Sequence, residues 1–556
     1  VKSRSQSIQV AQNRQFDLVV IGGGIVGAGV AQDAAARGLS VALIEKDDFA
    51  SGTSSKTTKL IHGGLRYLEQ FEVKLTRELC QERGVLEQLA PHMVRDFSFV
   101  IPVPKEHPFF GLKAGLGLTV YDIVSWSPNG TPANYRHSRL SQAETIQAAP
   151  SLNKEKISGG LRYHDCITDD SRLVLEVVKS ACHEGATAIN YVEVTGFESQ
   201  DSKLTSVTCR DRFNNSTFSV RAKAFVNAAG VWIDNICQMV DPNWPKHVLP
   251  SKGTHIIVPK SAFDCNTALL LPADDGRYVF VVPWQNAVMI GTTDQAYTGD
   301  VNNPVPEEKE IEYLLDVVNS FSDGEKLTRA SVVGSFAGLR PLIEMHGVNG
   351  AANTGKISRE HFILVGPGQM IVLAGGKLTN YRLMATEVVD KVYATSLNEL
   401  SYKPSRTRRI MLGGFNDRND FLASTAAISV RGRKLGLEPA TIEHLISNYG
   451  ADAQGVFDIL DREPQLNEKI CPDFPCIMAE IVFSSAHEMA VSLEDLMLRR
   501  LRLGLLNQKQ CLEAAPKVAE LAGQILSWDN QRLSMELKAL ENYLGEHMQV
   551  ACNANC

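Results

Sequence analysis

A run of apolar and β-branched residues, Phe16-Asp17-Leu18-Val19-Val20-Ile21, stops on Gly22-Gly23-Gly24-Ile25-Val26-Gly27 and gives way to an Ala-rich stretch through Arg37 that Gly38 closes. That change of pattern at a glycine cluster predicts a strand, a tight turn and a helix. Ser40 to Ile44 reads as a second apolar strand, ending at Glu45, 18 residues beyond Gly27. Gly22, Gly24 and Gly27 stand in the G-x-G-x-x-G spacing of a βαβ unit. Such glycines let the backbone turn sharply and let a pyrophosphate approach the helix N-terminus, where free N–H groups and the helix dipole favour negative charge. Glu45 is placed to accept from ribose hydroxyls, which favours an adenosine ribose without a 2′-phosphate.

Composition narrows the function classes. At roughly 150 residues per domain, 556 residues suggest three or four domains. Lys and Arg total 56 against 63 Asp and Glu, a formal charge of −7, with 44% apolar residues. This is ordinary globular composition, and it argues against disorder and against a basic nucleic-acid footprint. The eleven cysteines are scattered, with no C-x-x-C and no zinc-finger spacing. Free thiols in a reducing compartment and no metal site are expected, with the tail pair Cys552 and Cys556 left open. No run reaches the ~18 apolar residues of a membrane span, and Val1 to Gln15 lacks a signal-peptide core, so a soluble or peripheral protein is expected. A start at Val1 is compatible with a removed leader.

Further along, Tyr191–Phe197 and Ala224–Ala229 read as strands that join the first sheet. The alternating stretches Thr254–Val258 and Arg277–Val282 suit an antiparallel sheet, which makes the nucleotide domain discontinuous. Phe362–Val365 and Met370–Leu373 are further strands before Gly375-Gly376-Lys377-Leu378-Thr379, and Tyr381–Tyr393 is helical. After about Asn398 strand signals fade, while His444–Asn448, Ser492–Leu506 and Lys517–Leu544 have helical spacing. The expected fold is α/β: a Rossmann-like dinucleotide domain (16–95, 165–245, 346–397), an antiparallel-sheet substrate or cap domain (96–164, 246–345) and an all-α C-terminal domain (398–545). Residues 1–15 and 546–556 are expected to be flexible termini.

After Glu45 come Lys46-Asp47-Asp48-Phe49-Ala50-Ser51-Gly52-Thr53-Ser54-Ser55-Lys56 and Leu60-Ile61-His62-Gly63-Gly64-Leu65-Arg66-Tyr67. With Asn227-Ala228-Ala229-Gly230, Lys252-Gly253-Thr254-His255, Gly291-Thr292-Thr293-Asp294, Gly338-Leu339-Arg340-Pro341 and Gly375–Thr379, the chain resembles the flavin-dependent glycerol-3-phosphate dehydrogenases, within the D-amino-acid-oxidase-like FAD enzymes. His444–Gly450 and Arg499-Arg500-Leu501-Arg502 resemble that family's C-terminal domain, so the likeness spans about residues 16–545. It implies noncovalent FAD, oxidation of sn-glycerol 3-phosphate to dihydroxyacetone phosphate, and electron delivery to membrane quinone from a cytoplasmic enzyme held peripherally on the inner face of the cell membrane. It leaves a homodimer open. Lys252-Gly253-Thr254 departs mildly from the family's commoner Arg-Gly-Ser and leaves His255 in register.

The resemblance places Arg66, Arg340 and Lys377 in the substrate pocket with Tyr67 and Thr379, and residue chemistry fits: cations grip a phosphate where a neutral side chain cannot. His255 is the candidate base for the hydroxyl proton; Arg340 alternatively stabilises a developing alkoxide while water takes the proton. Cofactor contacts are expected from Gly22, Gly24, Gly27, Glu45, Ser54, Ser55, Lys56, His62, Gly63, Gly64, Val194, Ala229, Gly230, Gly375, Gly376, Lys377, Leu378 and Thr379. The apolar segment Pro108–Tyr121 is read as a buried element of the cap in preference to an interfacial one, and Arg406-Thr407-Arg408-Arg409 as solvated surface. The alternatives are an oxidase that passes electrons to oxygen and releases peroxide, an amino-acid oxidase of the same fold, and a flavin-binding subunit without catalysis. No calcium-loop pattern is present.

Overall fold

The computed structural model describes residues 3–69, 71–125, 135–343 and 361–548. Its first sheet runs Phe362–Val365, Ile371–Ala374, Thr217–Asn227, Gln15–Ile21, Val41–Ile44, Thr187–Ile189. Gln15–Ile21 pairs in parallel with Val41–Ile44 on one side and Thr217–Asn227 on the other. Both faces of that strand are buried, so it reads as a continuous apolar run. Leu18 and Val20 pack against helices Ile25–Ala36, Asp170–His183 and Tyr381–Thr395, while Val19 and Ile21 pack against Val192, Val194 and Val207 of a hairpin on the other face. Each such fully buried side chain contributes roughly 1.5–3 kcal/mol.

Among the described residues the second sheet has ten strands and is antiparallel apart from the Ala268–Pro272/Arg95–Pro104 pair. Its strand Val248–Pro259 pairs antiparallel with Gly334–Ile343, setting Ser251 opposite Arg340 and His255 opposite Phe336. Two distant parts of the sequence are thus fixed side by side. A helical domain follows from Arg418 to Met548.

Four sequence readings are corrected. The segment read as a flexible N-terminus contains a helix, Arg4–Asn13, with a Ser3 capping box and with Arg4 paired to Asp211 at 2.7 Å. Ser492–Leu506 is not one helix: a π-helical turn Asp495–Arg500 ends before Arg502 at φ +63, and Leu503–Leu506 follows. Lys517–Leu544 splits at Ser527 into Gln508–Leu526 and Asn530–Met548. Pro108–Ser125 is a helix, but not a buried one: Phe109, Leu116 and Ile123 are 80%, 63% and 69% exposed, whereas Leu118 and Tyr121 face the core. No helix among the described residues is long and apolar enough to cross a membrane. Cys552 and Cys556 lie outside the described residues.

Candidate active site

The turn after Gln15–Ile21 is built by steric necessity. Gly22 has φ +107, and a Cβ there would stand 2.6 Å from the Ala228 carbonyl oxygen; a Cβ on Gly27 would stand 1.8 Å from the Gly22 oxygen. Helix Ile25–Ala36 therefore starts hard against the strand, with no acidic residue in its first turn. Its Ile25 N–H donates to the Ser54 hydroxyl at 3.0 Å. Glu45 accepts from the N–H groups of Gly23 at 2.6 Å and Asp47 at 2.8 Å. Burial, with Asp47 adding, pushes its carboxyl up to about 7.

Gly22, Ile25, Glu45 and Ser54 line a chamber of 380 Å³ with Gly24, Val194, Ala229, Gly230 and Gly375. Thr53, Thr57, Pro341 and residues 375–378 are shared with an inner chamber of 210 Å³. The inner chamber holds His255, Arg340, Lys377, Thr379, Tyr67, His62 and Lys56. Thr58, His62, Tyr67 and Arg340 then border an outer chamber of 500 Å³ under helix Pro108–Ser125, which holds Arg66 and Gly64. Most sequence-picked residues thus line one connected tract, with Arg66 in its outer part. Gly27, Ser55 and Gly63 line none of the three chambers. Gly63 instead donates its N–H to Asp165 at 3.1 Å and to the Tyr121 hydroxyl at 3.0 Å.

His255 is 2% exposed, stacked on Phe336 at 4.7 Å with 7° between planes, and its Nε2 lies 2.9 Å from Thr58 Oγ1. Burial, reinforced by the Lys59 and Arg340 cations, holds its pKa well below the ordinary value and favours the neutral ring. The Arg340 guanidinium donates to Thr292 Oγ1 at 3.1 Å and to the Thr293 carbonyl at 3.3 Å, with Asp294 at 3.6 Å. Glycine at 253 makes room for it, since a Cβ there would stand 2.6 Å from Nη2. The Lys377 ammonium sits 3.9 Å over the Tyr67 ring, and Thr379 Oγ1 accepts from the His62 N–H at 3.1 Å.

Sequence reasoning missed Thr58, Lys59, Asp170 and Arg502. Thr57-Thr58-Lys59 directly continues the hydroxyl-rich turn at Ser54, a signal that was available. Asp170 opens one helix and Arg502 sits at the break before another, far apart in the chain; the motif that includes Arg502 signals the C-terminal domain but not a contact with Asp170.

The donor set fits FAD: a glycine-rich helix start with no acidic residue in its first turn, a carboxyl group at the end of the second strand, and glycines where a Cβ would fill the space. A family model described as "FAD dependent oxidoreductase" matches residues 17–382, and one for the C-terminal domain of alpha-glycerophosphate oxidase matches residues 405–533. Glycerol-3-phosphate dehydrogenase 2 of Mycobacterium tuberculosis is 35% identical over 94% of this chain and 87% of its own length. The mitochondrial glycerol-3-phosphate dehydrogenase of Rattus norvegicus is 34% identical over 98% of this chain and 75% of its own. The crystal structure of a glycerol-3-phosphate dehydrogenase from Bacillus halodurans, complexed with FAD, superposes with a TM-score of 0.80 at 30% identity, covering 98% of this chain and 97% of that one. The chain belongs to the FAD-dependent oxidoreductases, in the family of the flavin-dependent glycerol-3-phosphate dehydrogenases, and its cofactor is FAD.

Proposed function

We propose that this enzyme oxidises sn-glycerol 3-phosphate to dihydroxyacetone phosphate and passes the electrons to a membrane quinone. The observation that carries the first half is the inner chamber, where Arg340 and Lys377 stand with the buried His255 imidazole and the hydroxyls of Tyr67 and Thr379. An amino acid would call for a carboxylate and an amine site; paired cations beside a base suit a phosphorylated alcohol. FAD, when bound, supplies the acceptor for the hydride. Arg340 and Lys377 hold the phosphate, Tyr67 and Thr379 fix the carbon chain, and His255 takes the hydroxyl proton as the C–H bond breaks. Arg66 draws the anion in from the outer chamber.

The acceptor reading rests on helix Pro108–Ser125. Its exposed Phe109, Leu112, Leu116, Val120 and Ile123, with Phe71 beside them, make an apolar surface, and the outer chamber beneath them joins that surface to Tyr67 and Arg340. Such a face suits the headgroup boundary of a bilayer and a lipid-soluble acceptor. The nine described cysteines are free thiols, which fits the inner face of the cell membrane.

Anaerobic titration tests both halves. Glycerol 3-phosphate is expected to bleach the bound flavin stoichiometrically where amino acids do not, and failure to bleach removes the substrate assignment. Adding a quinone is then expected to restore the colour faster than oxygen does. Rapid stoichiometric peroxide in air instead identifies an oxidase.

A further inference from the structure

The plane of the His255 ring is fixed by Phe336 on one side and by the glycine at 291, where a Cβ would stand 2.2 Å from Cδ2. Within that plane Nε2 meets Thr58 Oγ1 at 2.9 Å, while Nδ1 is buried with no hydrogen-bond partner among the described residues. Thr58 is therefore the polar contact that sets the rotation of the ring and decides which nitrogen carries its proton.

Thr58 is itself held from both sides. Asp170 Oδ2 accepts from the Thr57 N–H at 3.0 Å, the Thr57 hydroxyl at 2.7 Å and the Lys59 ammonium at 2.8 Å. Asp170 Oδ1 accepts from the Ser171 N–H at 2.9 Å and from the Arg502 guanidinium. Arg502 also donates to the Ser55 carbonyl at 3.2 Å, which the Lys59 ammonium reaches at 2.8 Å. All three charged side chains are sealed from solvent. Arg502 belongs to the helical domain, 332 residues from Asp170, and reaches the segment 55–59 from a backbone at φ +63. A left-handed conformation at a non-glycine residue persists where its surroundings over-determine it.

We propose that Thr58 is the positioning residue for the His255 base, and that Arg502 of the helical domain sustains that position through Asp170. The hydroxyl orients the base in the way a third group does in other nucleophile and base constellations. The carboxylate, saturated by two cations, keeps residues 57–59 in one arrangement. The charged groups that bear on the ring are Lys59, Arg340 and Asp170, and all three stay in place in a Thr58 variant. The helical domain is then part of the machinery of proton transfer, acting at a distance through one buried ion cluster.

The proposal rests on His255 being the base, and one series of holoenzymes separates the two. Stopped-flow flavin reduction by glycerol 3-phosphate is followed across pH in His255→Asn, Thr58→Val, Thr58→Ser and Arg502→Lys, with bound FAD measured in each. His255→Asn is expected to slow reduction by roughly 10²–10⁴-fold. Thr58→Val is expected to slow it on the order of tenfold, with substrate affinity unchanged and a displaced pH profile, while Thr58→Ser restores rate and profile. Arg502→Lys keeps a cation but shortens its reach; a several-fold loss at full FAD content, with the profile displaced in the same direction, is expected. A slow His255→Asn beside a Thr58→Val enzyme of normal rate and profile overturns the positioning role alone. Thr58→Ser as slow as Thr58→Val overturns it too, and a normal Arg502→Lys enzyme removes the helical domain from it. A normal His255→Asn enzyme removes the base assignment itself, and this proposal with it.

Discussion

Arg500 and Arg340 are both arginines that bridge elements distant in sequence, yet they do opposite work. Arg500 is 1% exposed and donates to the Asp48 carboxylate at 2.7 and 3.1 Å, beside Arg499, which reaches the same carboxylate at 2.7 Å. Arg340 is 26% exposed at its side chain, donates to threonine oxygens at 3.1–3.4 Å and opens on two chambers. A cation sealed against a carboxylate holds two domains together. One that borders a cavity, with the Asp294 carboxylate 3.6 Å away, is the cation proposed to meet an anion arriving from outside. The contrast sets a stabilising cation against one proposed to bind substrate, and it can be broken by single substitutions.

The largest effect is expected at the sealed cluster. Asp48→Ala removes the carboxylate that Arg499 and Arg500 share, leaving Arg499 with Asp495 and Arg500 with the Glu488 carbonyl, and should cost about 3–5 kcal/mol of stability. Denaturant unfolding measures that loss, while flavin reduction in the folded fraction stays close to normal. Arg340→Ala inverts the pattern: reduction by glycerol 3-phosphate should slow by roughly 10²–10³-fold with FAD retained and the melting temperature unchanged. A destabilised Arg340→Ala, or an Asp48→Ala enzyme that is folded but slow, would erase the distinction.

The acid side sharpens the comparison. Burial pushes the Glu488 carboxyl up, but Arg172 and Lys179 outweigh burial and hold it at about 2 against an ordinary 4.5. A carboxylate with a depressed folded pKa contributes stability that is complete above the unfolded value and is lost as pH falls through the folded one. Stability should therefore fall between pH 5 and pH 2, and Glu488→Gln, less stable at neutral pH, should lose less over that range. Equal acid slopes in the two proteins would count against the pair. The smallest effect is expected at the apolar helix. Leu116→Lys should weaken binding to vesicles several-fold and slow quinone reduction, with a water-soluble dye acceptor unaffected; equal loss with both acceptors would place the defect in the site.

What the sequence revealed depended on distance along the chain. Gly22, Gly27 and Glu45 were legible because strand, turn, helix and acid lie within one βαβ unit, where local sterics set the geometry. Arg340 and His255 were legible through the motifs around them, though their juxtaposition needs the pairing of strands Val248–Pro259 and Gly334–Ile343. Helix Pro108–Ser125 was misread because it is apolar nearly all round, the pattern of a buried helix. Apolar spacing likewise signals helix at 492–506 but not the left-handed break at Arg502, which owes its place to Asp170 and Ser55. Arg499 and Arg502 look alike in sequence; the fold sets Arg499 in a π-helical turn against Asp48 and Asp495, and Arg502 at a left-handed break against Asp169 and Asp170.

The most direct measurement is a crystal structure of the FAD-loaded enzyme soaked with dihydroxyacetone phosphate. The phosphate should rest against Arg340 and Lys377, with the carbonyl within hydrogen-bond reach of His255. A phosphate bound elsewhere, with its charge turned away from those two cations, would contradict the account.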